Sequence, residues 1–264
     1  MEYDPSRIKF GRAQNIQEVI SRINNYLLDT DFQPRSNIIM PVLNINFKHW
    51  TTQVHVFVYD KNLYIVLYDR DSSNACMSLT LRNITDGVEG KIQMISSQYN
   101  CNIPETRRGT WLMELADNLL HSLGCTRAIL HDESQMRCND HMSVSLLFLR
   151  IFQGKFSSWY ENFGFVPKDK DYVLPYMIDL YNLHMQDITS GVFDRYPAFE
   201  NENAGSYMTR LFAIDCAAYE QVFEDIRDQT ELIIEIDAVT SEKYVKNYYP
   251  KEENITFFSP ILTF

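Results

Sequence analysis

Three short stretches hold the side chains most able to do chemistry. "SSWYENFGFVP" at 157–167 sets Tyr160 four residues before Gly164 and then runs into Phe165-Val166-Pro167. "PETRRGT" at 104–110 puts Arg107 and Arg108, the chain's one conspicuous local basic pair, beside Gly109 and Thr110. "LHDES" at 130–134 ends an apolar run on His131, Asp132 and Glu133. A phenol can hold or release a proton, paired guanidiniums bind anions, and a carboxylate can take up a proton. Each stretch also has a plain structural reading. Arg107 and Arg108 suit a solvated loop, His131-Asp132-Glu133 suit a strand end, and Tyr160 suits a core rim. Within 157–167, a helix carries Trp159 and Tyr160, Gly164 stops it at positive φ, and Phe165 and Val166 start a strand.

These stretches need elements to position them. "NIQEVISRINNYLLD" repeats Ile16, Val19, Ile20, Ile23 and Leu27 at helical spacing, with Asn15 and Glu18 as a capping box. Strands follow at "NIIMPVLNINF", "TQVHVFVYD" and "LYIVLYD". Val54, Val56 and Val58 fall on one face of the second, and Lys61-Asn62 is the expected turn after it. "CMSLTLRNI" adds a strand, Asp86-Gly87 a turn, and "GKIQMISSQYN" the next strand. Then comes the polar loop "CNIPETRRG". "TWLMELADNLLHSLG" puts Leu112, Leu115, Ala116, Leu119, Leu120 and Leu123 on one helical face and closes on Gly124, before the strand "CTRAILHD". Strand, helix and strand in this order make a β-α-β crossover. A helix is expected over "MSVSLLFLRIF", with further helices near 174–188 and 206–228, a strand at "ELIIEI", and a docked apolar tail "ENITFFSPILTF". The chain therefore reads as an α/β core over 1–167 with a mainly helical extension over 168–264 packed on it.

Composition narrows the classes. At 264 residues with 45% hydrophobic and 22% charged residues, the chain is globular and long enough for a real core. Its net charge of −11 opposes nucleic-acid binding and, with 16 Tyr and 16 Phe, points to protein partners. No apolar run is long enough to span a membrane, and "MEYDPSRIKFGR" has no apolar core of a signal peptide. Cys76, Cys101, Cys125, Cys138 and Cys216 are odd in number and widely spaced. That pattern predicts free thiols in a reducing, intracellular, cytoplasmic setting. No Cys or His pair has zinc-ligand spacing, so no metal is expected.

The order "KIQMISSQY", "PETRRG", "TWLMELADNLLHSLG", "CTRAILHD", "SWYENFGF" resembles the core motif of the GNAT superfamily of N-acetyltransferases. That motif is a strand, a phosphate-binding turn, a helix, a strand and a short helix ending Tyr-x-x-x-Gly-Phe. "LHDES…VSLLFLRIFQGKFSSWYENFGFVP" looks like a divergent group found in large DNA viruses. The resemblance implies a mixed central sheet with flanking helices, and acetyl-CoA as cofactor. It places the pyrophosphate at a helix N-terminus near Arg107, Arg108, Gly109 and Thr110, and the pantetheine arm along Tyr99 to Cys101. It makes Tyr160 the general acid and Glu133 a base. One glycine of the family's turn is replaced here, by Arg107 or by Trp111 according to alignment.

Two further functions follow from resemblance. One is a catalytically silent binding or structural protein with the same fold, such as a virion component. The other is a relative of ubiquitin-like-protein cysteine proteases, which "IIMPVLNINFKHWTTQVHVFVYDKNLYIVLYD" resembles. That family would use His49 as base, Asp69 as its orienter, Gln135 as oxyanion donor and a cysteine six residues after the glutamine. Here that position is His141, and Cys138 lies closer.

Overall fold

The computed structural model describes residues 11–24, 42–69, 74–96, 101, 107–132, 134–139, 142–167, 169–240 and 244–248. The chain divides into two compact units, Met1–Ala128 with Asn247–Phe264, and Ile129–Lys246. This division falls inside a strand rather than at the expected boundary after 167. It is discontinuous because the chain returns to the first unit after the second is complete. Among the described residues no helix is long and apolar enough to cross a membrane.

The first unit opens with helix α1 (Ile16–Asn24). The Asn15 side chain accepts the Glu18 amide, while Glu18 reaches back to the Gln14 amide rather than to Asn15. Strands β1 (Val42–Phe47), β2 (Trp50–Tyr59), β3 (Asn62–Tyr68), β4 (Ala75–Ile84) and β5 (Gly87–Ile95) form an antiparallel meander in chain order. Val54 and Val56 are fully buried, as their alternation requires. The β2–β3 turn is Asp60-Lys61, one residue earlier than expected. Both residues have positive φ, which matches the twist of a tight hairpin. Helix α2 (Arg108–Ser122) follows, and β6 (Arg127–Leu130) then lies next to β5. The α2 face named above is wholly buried and packs over β4 and β5. Gly90 permits this approach, since a Cβ there would sit 2.4 Å from Leu120. The end of α2 is tied down by Arg22, whose guanidinium donates to the Leu123 carbonyl at 3.1 Å.

A buried carboxylate closes the sheet of this unit. Glu89 on β5 is 1% exposed and is held at 2.6 Å by Arg82 on β4 and at 2.6 Å by Arg127 on β6. Farther along, Tyr248 returns to the unit, donating its hydroxyl to Asp117 at 2.7 Å and stacking on His121.

The second unit takes the end of β6, the hairpin β7 (Gln135–Asn139) and β8 (Met142–Ser145), and helix α3 (Leu146–Phe152). The stretch "MSVS", expected to be helical, is therefore a strand. Its Ser145 residue is extended, and the helix begins only at the apolar run. A 3₁₀ helix at Trp159–Phe163 ends on Gly164 at φ 81, where a side chain would be strained, and β9 (Val166–Pro167) follows. Helices α4 (Lys170–Asn182), α5 (Ala204–Ile214), α6 (Cys216–Gln229) and α7 (Leu232–Thr240) come next, then β10 (Tyr244–Asn247), which pairs antiparallel with β9. The single helix expected over 206–228 is split at Asp215, which caps α6 by accepting the Ala217 and Ala218 amides. "ELIIEI" is helical, not a strand. Ile233, Ile236 and Thr240 are buried at helical spacing while Ile234 is exposed. The apolar tail "ENITFFSPILTF" lies outside the described residues.

The Glu89 clamp makes a testable claim. Glu89→Ala is expected to cost about 2 kcal/mol in urea unfolding. That is below the ~3–5 kcal/mol of a fully buried pair, because the two guanidiniums left behind are nearly half exposed. A loss under about 0.5 kcal/mol would show that the clamp contributes nothing beyond a surface pair.

Candidate functional site

In the first unit the site residues gather at the start of α2. Arg107 is the N-cap residue and adopts a left-handed conformation, φ 61 and ψ 26, which is unusual for a residue with a side chain. The Arg107 side chain makes no capping bond, and no carboxylate stands in the first turn. The Arg107 carbonyl accepts the Trp111 amide at 3.0 Å, so the helical ladder starts here. A left-handed residue leading into a helix turns successive amides toward one point, and the helix dipole adds positive potential there. Gly109 and Thr110 lie inside the first turn, not in the loop before it, and the Arg108 side chain is buried.

Trp111 does not face this amide cluster alone. Its ring takes the edge of His49 at 5.2 Å and of Trp50 at 6.4 Å, and Lys48 Nζ lies 4.3 Å above it. Lys48 also pairs with Glu114. The indole thus anchors α2 to the β1–β2 turn. This gives the "KHW" stretch a packing role. His49 makes no hydrogen bond among the described residues. Asp69 instead lines a cleft of about 440 Å³ with Thr51, Gln53, His55 and Tyr68. Gln135 is exposed at the start of β7, and the side chain of Cys138 lies outside the described residues, as does His141.

Cys101 is bonded to Cys76, with Cα atoms 6.1 Å apart, and Cys216 is disulfide-bonded as well. The expectation of free thiols is corrected for these three residues. Spacing along the chain carried no sign that β4 and the segment before α2 are neighbours. Cys125 remains a free buried thiol, and burial pushes its pKa well up. Tyr99 and Glu133 lie outside the described residues.

In the second unit, the 3₁₀ helix, the segment after β6 and strand β10 bring polar groups around Ser158. This residue is fully buried and caps the 3₁₀ helix that carries Tyr160. Its hydroxyl accepts the Tyr160 amide at 3.0 Å, and its own amide donates to Glu161 at 2.9 Å. Glu161 pairs in turn with Lys170 at the start of α4. Beside it, Asp132 accepts the amide and hydroxyl of Ser134 through Oδ1, at 3.1 and 2.5 Å. Asp132 Oδ2 and Tyr244 Oη are buried and have no well-formed hydrogen bond among the described residues. Burial raises the Asp132 pKa above the ordinary 3.8, opposed by hydrogen bonds from Ser134 and Ser158 and by the charge of Arg150. Burial also raises the Tyr244 pKa, with the Asp132 charge adding to it and Ser158 opposing. The Ser158 hydroxyl is thus close enough to influence both groups, though neither oxygen meets it squarely. Tyr160 is half-buried, its ring 5.1 Å from Trp159 and 6.4 Å from Tyr244.

The sequence marks Tyr160 and, in the strand-end stretch, Glu133 rather than its neighbour Asp132; Ser158 and Tyr244 are not among its candidates. The Ser158-x-x-Glu161 spacing is a capping-box signature that marks the first of these. Nothing local marks Tyr244, which arrives on the last strand. Comparison with family models, with curated proteins and with solved structures found no match.

The raised Asp132 pKa has a definite sign in stability. The folded state binds the proton more tightly than the unfolded chain does. The favourable contribution is therefore complete below the ordinary carboxyl pKa and is lost as pH rises through the folded value. Asp132→Asn, which cannot ionise, is expected to abolish this component. The stability difference between wild type and variant should move against wild type from pH 4 upward, as read by thermal unfolding in a pH series. A difference flat with pH would contradict the assignment.

Proposed function

We propose that this chain is a GNAT-like protein that binds a CoA thioester and transfers its acyl group to an amine. The observation that carries the reading is the N-terminus of α2, where Arg107 is left-handed with no capping side-chain bond of its own and no carboxylate stands in the first turn. Such an end binds the pyrophosphate of a CoA ester through backbone amides. The succession β5, α2, β6 and, after the β7–β8 hairpin and α3, a short helix closed by Gly164 before buried Phe165 supports the same reading. In the reaction the amine nitrogen forms a bond to the thioester carbonyl carbon and the C–S bond breaks. The family resemblance assigns to Tyr160 the proton that the departing thiolate takes. The same resemblance assigns the proton lost by the amine to Glu133. The Ser158 cap acts by fixing the backbone from which Tyr160 projects.

A second reading is a binding protein of the same fold without catalysis, such as a virion component. It is favoured by Arg107, a residue with a bulky side chain at a position where close backbone approach suits glycine. The two readings separate in one experiment. Acetyl-CoA at 100 times its Kd should raise unfolding stability by about 2.7 kcal/mol. Tyr160→Phe should keep that stabilisation and lose roughly 10²–10⁴ in the rate of acetyl transfer to an amine. No stabilisation at millimolar acetyl-CoA would remove the enzyme reading and leave the binding protein.

A further inference from the structure

Charge is distributed very unevenly along this chain. Between Lys170 and Thr240 it carries fourteen Asp and Glu against four Lys and Arg, so nearly all of the net −11 belongs to this helical insert. Each of the four cations already has a carboxylate partner: Lys170 with Glu161, Arg195 with Asp215, Arg210 with Glu202, and Arg227 with Glu224 and Asp237. The ten other carboxylates of the insert have no ion pair among the described residues. Crowding is felt within it. The Glu220 pKa is raised by burial and by the neighbouring charge of Glu224.

Within the insert, the 3₁₀ turn at Gly191–Asp194 and the start of α6 enclose a pocket of about 400 Å³. Val192, Tyr196, Ala217 and Ala218 supply apolar wall, and Asp215 and Asp225 supply charge. The two carboxylates are not equivalent. Asp215 is committed to the Ala217 and Ala218 amides and to the Tyr196 hydroxyl at 2.9 Å. Asp225 takes only the Gln221 side-chain amide at 3.0 Å on Oδ1, and its buried Oδ2 has no partner among the described residues. Arg195 stands at the same pocket but is loosely held, with its side chain 75% exposed and 3.6 Å from Asp215.

We propose that the insert is a docking surface for an arginine- or lysine-rich polypeptide segment, and that this pocket receives one of its basic side chains. The aliphatic stem would lie along Val192, Ala217 and Ala218, with the cationic head on Asp225. A bare metal ion fits less well, because only one of the two carboxylates has an oxygen to spare and a hard cation needs about six such ligands. Exposed Phe199, Ile214 and Ile234 on the same insert offer apolar contact to the rest of a peptide chain, which a polyamine would not use. The proposal is independent of any acyl transfer.

The test is fluorescence anisotropy of a labelled peptide of alternating arginine and alanine, with the glutamate–alanine peptide and spermine as comparators. The full chain is used, with folding of every variant checked by circular dichroism. Binding of the arginine peptide is expected, weakening with salt. Asp225→Lys should weaken it about tenfold or more, and Asp225→Asn by less. Asp86→Lys, an equal change of net charge on the exposed β4–β5 turn, should leave it within about twofold. Should Asp225→Lys fail to fold, Asp228→Lys on the exposed surface of α6 replaces it, with a loss again expected. Absence of binding at low salt would overturn the proposal. So would an equal loss in Asp86→Lys and the insert variant, or spermine binding as tightly as the peptide.

Discussion

Glu89 is the constraint on which the first unit turns. One carboxylate, almost wholly removed from water, receives guanidiniums from the strands on either side of it. Burying that charge is tolerable only because both partners arrive with hydrogen-bond geometry, and they can arrive only if β4, β5 and β6 are in register. Five antiparallel strands would assemble from local hairpins alone. The sixth comes after a long helix and needs a reason to add at that edge. Glu89 supplies it, and Gly90 beside it lets α2 settle close enough to bury its leucine face. The direction of α2, and hence where its amide-rich start points, follows from this pairing.

The second unit is organised by a neutral residue. Ser158 is fully buried, yet its hydroxyl and amide are both used at the entry to the helix that carries Tyr160. Asp132 and Tyr244 lie near the same hydroxyl, and one oxygen of each has no well-formed partner among the described residues. A folded protein rarely leaves such atoms inside without a use for them. Their presence beside Tyr160 accords with the proposed acid role, because a residue that must release and regain a proton benefits from nearby groups whose proton affinity has been shifted. The acidic helical insert is a different kind of feature. Its excess charge works against compactness and is retained outside this polar cluster, which is why it is assigned to a partner rather than to the reaction.

Local periodicity made much of this architecture readable. The α2 face, the valines of β2 and the Gly164 stop all follow from patterns confined to a few residues, and each appears where those patterns place it. The misreadings share a cause. "ELIIEI" is as apolar as a buried strand, and only its packing on other helices decides for a helix. "MSVS" continues into an apolar helical run, so its strand character depends on pairing with β7. The Asp215 break is visible only once its capping bonds exist. The disulfide and Tyr244 depend on contacts between segments far apart in sequence, for which spacing offers no signal. The candidate site was half legible for the same reason: residues flanking α2 and the Tyr160 stretch announce themselves, while those brought in by β10 do not.

On the proposed function, the start of α2 holds the pyrophosphate of a CoA ester through its backbone amides. Titration of the isotope-labelled protein with CoA, followed by amide NMR, addresses it directly. Saturable shifts of the Arg108, Gly109 and Thr110 amides at one common Kd are expected. Saturable shifts elsewhere with these three unmoved, or no shifts at all, would contradict it.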